Sequence, residues 1–229
     1  MLGTGFNDAV NTFSPYNSKL YAAGLFILAG PDTVKRVASW DSNTWSPLGS
    51  GINGAVNGSI IYGNNLIFGG AFGFAGGIPA NNIASWSNSG WNSFNGGTSG
   101  PVNTFNIFGG LFIVGGIFTT AGSTPVHNIA AWYSNAWSTM GDGFDAGVYA
   151  LTTYQNHLIA GGIFSSSGTI PIQMVAVWHD GYWAPLGAGI NNNSPIVYAL
   201  MEFNGRLIVG GQFLNAGGSV VNNIASWGD

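Results

Sequence analysis

Charge is what this sequence has least of. Only 5% of its 229 residues are Asp, Glu, Lys or Arg, against about 25% in ordinary soluble domains. Four cations spread along the chain cannot form the phosphate-neutralising stripe that nucleic-acid binding requires. They cannot form the basic face of a membrane-surface helix either. Cysteine is absent, which excludes disulfides and thiol catalysis but fixes no compartment. Long hydrophobic runs are missing too. The best, LYAAGLFILAG (Leu20–Gly30), is short and broken by glycine, whereas a spanning helix needs about 18–20 apolar residues. The opening MLGTGFNDAV has neither the basic start nor the apolar core of a secretory leader.

What is present excludes disorder. The chain is 46% apolar, with nine Trp, fifteen Phe and 38 Gly, far too much apolar surface for a segment that stays unfolded. Net charge is −4, from seven Asp and one Glu against two Lys and two Arg.

All nine tryptophans fall in two series. Trp40, Trp86, Trp132, Trp178 and Trp227 are spaced 46, 46, 46 and 49 residues apart, and Trp45, Trp91, Trp137 and Trp183 are spaced 46 throughout. Val10, Val56, Val102, Val148 and Val197 keep the same phase, as do Phe26, Phe72, Phe118, Phe164 and Phe213. The first Trp series closes five versions of one hexapeptide: KRVASW, NNIASW, HNIAAW, QMVAVW and NNIASW. The chain is therefore five repeats, approximately 2–47, 48–93, 94–139, 140–185 and 186–229, with the extra residues of the fifth in NNNSP (Asn191–Pro195).

Within the second repeat, VNGSIIYG, LIFGGAF, NNIASW and WNSF are separated by Gly-, Asn-, Ser- and Pro-rich turns. These segments are too short and too rich in β-branched and aromatic residues for helices. Four strands per repeat, repeated radially, describe a β-propeller blade. The expected fold is all-β: a five-bladed propeller of four-stranded blades forming a single domain over residues 1–229. The chain ends at SWGD where other repeats continue to an LGxG motif, and that motif stands at the other end as Leu2–Gly5. The N-terminal segment is therefore expected to complete the last blade and close the ring, removing an open sheet edge.

The unit Leu48–Phe94, with Gly-Gly-x-Phe, Ala-Gly-Gly, Asn-Ile-Ala-x-Trp, a second Trp and Leu-Gly-x-Gly, resembles Kelch-like repeats of a secreted subtype. Such repeats occur in extracellular bacterial proteins and fungal cortical-marker proteins. The match extends over nearly the whole chain but departs from the common form in having few Asp-Gly turns. The resemblance implies a propeller that binds or displays, outside the cell or at its surface.

The first Trp series reads as packing between blades. The second (Trp45, Trp91, Trp137, Trp183) falls on the last and more exposed strand of each blade. A ring face with an N–H there suits sugar stacking, and a wedge between blade edges explains the series as well. These four are the candidate ligand-binding residues. The Gly pairs read as close backbone approach, since no Lys and no helix follow to make a phosphate loop. Asp142 and Asp145, with Asp8 read as the equivalent of Asp145, are too few for a calcium loop. His127, His157 and His179 fall at different phases and assemble no zinc set or triad. Glu202 reads as an ion partner of Arg206. No catalytic residue, metal or cofactor is expected.

The inter-blade loops and the GFAGGIPANN-type loops are expected to share one face, a neutral surface rich in Asn, Ser, Thr and Gly. The leading expectation is a non-enzymatic, lectin-like module for a neutral glycan. The alternative is a structural, self-associating subunit of a surface filament, sheath or viral appendage, with a homo-oligomer as its form. Neither reading involves nucleic acid or membrane insertion.

Overall fold

The computed structural model describes residues 2–191 and 194–228. Met1, Asn192, Asn193 and Asp229 lie outside it, and with them parts of three expectations: the closing N-terminal segment, the NNNSP insertion and the terminal SWGD.

The periodic segments form antiparallel sheets, with no helix among the described residues. The chain divides into two compact units, residues 1–102 and 103–229. The first unit holds two four-stranded sheets in chain order. One is Val10–Tyr16, Lys19–Gly24, Val37–Trp40 and Trp45–Pro47; the other is Ala55–Tyr62, Asn65–Ala71, Ile83–Ser87 and Gly90–Ser93. In the second unit, Val102–Phe108, Leu111–Gly116, Ile129–Tyr133 and Ala136–Thr139 form one sheet. Val148–Tyr154, His157–Gly162, Val175–His179 and Tyr182–Pro185 form the next. The last repeat gives a three-stranded sheet of Ile196–Phe203, Arg206–Gln212 and Ile224–Trp227.

Turn chemistry sets the first hairpin of each repeat. Asn17-Ser18, Gln155-Asn156 and Asn204-Gly205 all have positive φ at both positions, the type I′ geometry whose twist matches that of the flanking strands. Between the second and third strands the chain makes a small extra hairpin, such as Phe74–Ala75 with Ile78–Pro79 or Ser166–Ser167 with Ile170–Pro171.

The opening strand of a repeat carries a bulge just after its conserved-phase valine, seen between Val10 and Thr12, Val56 and Gly58, Val148 and Ala150, and Val197 and Ala199. A bulge re-aims the extra residue. Here the Asn11 side chain donates to the Val56 carbonyl at 2.7 Å in the first unit, and that of Asn103 to the Val148 carbonyl at 3.1 Å in the second. Adjacent sheets within each unit are thus tied at the same point of the repeat.

The second glycine of each Gly pair faces that bulge. A Cβ on Gly70 would fall on the carbonyl oxygen of Ala55, and one on Gly162 on that of Gly147. The expected close backbone approach is therefore present.

The hexapeptide has a structural reason beyond its tryptophan. Its second residue lies in the left-handed region: Asn82 at φ 63°, Asn128 at 62° and Asn223 at 65°. The Asn82 carboxamide accepts from Phe72 N–H at 3.2 Å and donates to the Thr98 carbonyl at 2.8 Å, so it fastens the loop that follows its own sheet.

Apolar burial lies between sheets. Tyr16, Tyr21, Leu48, Val56, Leu66 and Phe68 share one core in the first unit. In the second unit Ile113, Phe144, Leu151, Phe164 and Trp183 form one core, and Ile159, Val175, Val197 and Leu207 another.

Leu2–Gly5 forms no strand. Within the first unit it repeats what Leu48–Gly51 does. Leu2 accepts the Trp45 indole N–H at 3.1 Å and Gly5 accepts Gly30 N–H at 2.9 Å. Leu48 accepts from Trp91 at 3.1 Å and Gly51 from Gly76 at 2.8 Å.

Candidate functional site

The two Trp series face each other as direct cross-strand pairs: Trp40 with Trp45, Trp86 with Trp91, Trp132 with Trp137, and Trp178 with Trp183. In the first and fourth repeats their exposure is the reverse of the sequence expectation, while in the third both rings are buried and in the second both are half-buried. Trp183 is fully buried, and Trp45 and Trp137 are buried at 8% exposure. Trp91 is half-buried, like Trp40, Trp86, Trp178 and Trp227 of the first series.

The cause is long-range. The LGxG-type loop leading in from the preceding repeat lies over the fourth-strand ring and takes its N–H, as when Trp183 donates to Met140 at 3.0 Å. A ring so covered, with its donor already engaged, offers less of its face and edge to a ligand. The four candidates Trp45, Trp91, Trp137 and Trp183 stand on four different sheets, each on the last strand.

Two other readings need correction. Asp8 is one position out of phase with Asp145; Asn7 is the true equivalent. Asn7 Oδ1 accepts from Ile27 and Leu28 N–H at 2.9 and 2.8 Å, and Asp145 Oδ1 accepts from Ser165 and Ser166 N–H at 2.8 and 3.0 Å. Asp8 accepts from its own neighbour, Ala9 N–H, at 2.7 Å. Burial raises the Asp145 carboxyl, but hydrogen bonds from Ser165 and Ser166 outweigh it and hold the group below its ordinary value. Glu202 lies opposite Leu207, and Arg206 opposite Phe203, so the two project from opposite faces. Arg206 donates instead to Ser226 at 3.2 Å. Among the described residues no three His, Asp or Glu gather around a common point.

The loops do gather as expected: within each unit the inter-repeat loop pairs with the small hairpin of the next repeat, as in the Ile52–Ala75 bridge. In the second unit they enclose a cleft of about 440 Å³ lined by Thr119, His127, Asp142, Asp145, Ser166 and Thr169. Its polar groups are largely turned on each other, His127 Nδ1 bonding the Asp142 carbonyl at 2.9 Å.

Another site lies at the hairpins between the first and second strands, and it recurs. In the first unit Tyr16, Asn17, Asn64, Asn65, Ser87 and Asn88 line a cleft of about 680 Å³. In the second, Phe108, Asn156, His157, Trp178, Asp180 and Tyr182 are among the residues lining one of about 370 Å³. Tyr16 and Phe108, Asn64 and Asn156, and Asn88 and Asp180 are each two repeats apart. Tyr182 is 53% exposed and stacks on His179 with ring centroids 5.6 Å apart and planes at 27°. Aromatic faces beside carboxamides and hydroxyls form a surface that reads neutral polar ligands with one flat apolar side. Sequence reasoning missed this site, because its residues change from repeat to repeat and only the hairpin position stays constant.

No family model matches this chain, and no curated protein matches it either. Solved structures do. The extracellular domain of a hybrid two-component system from B. thetaiotaomicron aligns over 96% of this chain at 12% identity and a TM-score of 0.62. The chain spans 27% of that protein's length. The WD40 β-propeller domain of Doa1 aligns over 98% of this chain and 79% of its own, at 13% identity and TM-score 0.55. The computationally designed Ika8 protein aligns over 98% and 72%, at 12% and 0.51. The fold is propeller-like. At such identities the likeness carries the fold alone. No helix among the described residues is long and apolar enough to cross a membrane, which leaves β-barrels unaddressed.

Proposed function

We infer that the five repeats are the blades of one closed propeller of the Kelch-like secreted type. On this reading it is a non-enzymatic module at or outside the cell surface that binds neutral glycans at its hairpin-end clefts. The observation that carries the reading is the recurrence of one cleft at one repeat position, lined by Asn and Ser in the first unit and by Phe, Trp, Tyr, His and Asn in the second. Sugar rings present an apolar C–H face and a rim of hydroxyls. Tyr182 and Trp178 offer the apolar face, while Asn156 and the Asn64–Asn65 pair offer amide donors and acceptors. The near absence of charge suits an uncharged ligand, and repetition turns weak single sites into avidity. The glycan reading stays, but its site moves from the wedged tryptophans to the hairpins.

Trp178 lines the second cleft, so intrinsic fluorescence reports occupancy. Titration with neutral oligosaccharides in EDTA should give a saturable shift that is lost in Tyr182→Ala and weakened in Asn156→Ala, with melting unchanged. A flat response to every neutral glycan would overturn the reading.

A structural, self-associating subunit is the second reading. It is favoured by apolar side chains exposed around the small hairpins: Ile27 and Phe74 in the first unit, Ile117 and Leu214 in the second. Light scattering of the same samples tests it, since concentration-dependent mass growth abolished by Phe74→Ser is its expected signature.

A further inference from the structure

In the fourth repeat, Ile159 stands opposite Val177 across two antiparallel strands. The same register carried two residues further sets His157 against His179. Their ring centroids are 5.6 Å apart, with planes at 65°. His157 is exposed and His179 half-buried. The geometry points to a two-histidine chelate for a divalent first-row cation of the zinc, nickel or copper type, a site that shares the hairpin-end cleft but is argued without the glycan reading.

The spacing fits such an ion. A metal about 2.0–2.1 Å from one nitrogen of each imidazole, at a near-tetrahedral angle, sets the ring centroids roughly 5–5.5 Å apart. The observed separation of 5.6 Å lies just above that range.

The orientation fits as well. His157 Nδ1 lies 2.8 Å from the carbonyl of Gln155. A carbonyl only accepts, so Nδ1 carries a proton, and in the neutral ring this tautomer leaves the Nε2 lone pair for a metal. Backbone carbonyls commonly fix the tautomer of ligating histidines in this way.

The chemistry selects the ion. Neutral imidazole suits zinc, nickel and copper, whereas magnesium and calcium require oxygen donors. Asp180 and Tyr182 line the same cleft, and the remaining coordination positions are left to water or ligand hydroxyls.

The fold does not require histidine here. The equivalent pairs are Lys19 and Asp41, Asn65 and Ser87, and Leu111 and Tyr133, chemically unrelated to one another. Structure alone therefore explains neither imidazole. His127 lines the other cleft of the second unit, whose lining holds no second histidine, and serves as an internal control.

The test uses untagged protein and no sugar. Substoichiometric nickel chloride should broaden the imidazole proton signals of His157 and His179 together and leave those of His127 sharp. Calorimetry with zinc chloride should show one saturable site per chain, not displaced by excess magnesium. His157→Gln and His179→Gln, both surface changes, should keep the wild-type melting curve. Each should weaken zinc binding by at least about tenfold, since loss of even an outer-shell partner costs that much. Equal broadening at His127, absence of a zinc isotherm, or wild-type affinity in either variant would overturn the assignment.

Discussion

Asn128 donates from its side-chain amide to the carbonyl of Phe144, 2.8 Å away and sixteen residues further along the chain. The same carboxamide accepts from Phe118 N–H at 3.1 Å, and its backbone sits at φ 62°. One residue thereby ends the small hairpin, enters the third strand and holds the following loop. Asparagine is the side-chain-bearing residue that best tolerates this backbone region while presenting both a donor and an acceptor.

Asn128→Ala should cost about 3–4 kcal/mol, combining left-handed strain of about 1–2 with two lost hydrogen bonds at about 1 each. Asn128→Gly relieves the strain and should cost about half as much. The first repeat offers the converse experiment. Arg36 occupies the same position at φ 73°, without the carboxamide. Arg36→Asn should raise stability by about 1 kcal/mol. Denaturant melts of the three variants check both signs, and an Arg36→Asn protein less stable than wild type would refute the account.

The paired tryptophans give an asymmetric prediction. Trp183 is fully buried and bonded to Met140, whereas its cross-strand partner Trp178 is half-buried. Trp183→Ala should cost about 3–5 kcal/mol, enough to unfold many domains. Trp183→Phe keeps most of the volume but orphans a buried carbonyl, at about 1–3 kcal/mol. Trp178→Phe should cost less than Trp183→Phe and should instead alter the fluorescence response to sugar. Thermal melts rank the three, and equal losses at both positions would contradict the burial difference.

The repeat made the sheets readable. A 46-residue period with four short apolar segments per unit leaves little else than stacked four-stranded sheets. The burial of the tryptophans was not readable, because local pattern shows that Trp86 and Trp91 lie on neighbouring strands but not which is covered. A loop from the preceding repeat contributes to that, as Met140 over the fully buried Trp183 shows. The left-handed asparagine was half visible. Asn82, Asn128 and Asn223 mark it, while Arg36 and Met174 at the same position hide it. The hairpin-end cleft left no trace, since Asn65 and Ser87 became His157 and His179 two repeats later.

Glycine substitutions separate close approach from mere backbone freedom. A methyl group on Gly70 would collide with backbone at the Ala55 carbonyl, which cannot move without breaking the bulge. Gly63 sits at φ 57° with open space around it. Gly63→Ala should cost about 1–2 kcal/mol, the left-handed penalty alone. Gly70→Ala should cost clearly more and lower the yield of folded protein. Equal melting temperatures for the two variants would mean that the bulge is softer than its contacts imply.

Asp145 supplies a pH test. Its carboxyl is held below its ordinary value in the folded state, so the unfolded chain takes up the proton first as pH falls. The stabilisation is therefore present above the unfolded pKa and disappears as pH drops through the folded one. The side chain is exposed, which limits the gain to less than about 1 kcal/mol. Asn7 and Asn53 make the same paired bonds with an amide oxygen, so Asp145→Asn should fold normally. Wild type should melt slightly above Asp145→Asn at pH 7, and the gap should close between about pH 5 and 2. Melting curves that stay parallel across that range would show that the Ser165 and Ser166 bonds do not favour the ionised carboxylate.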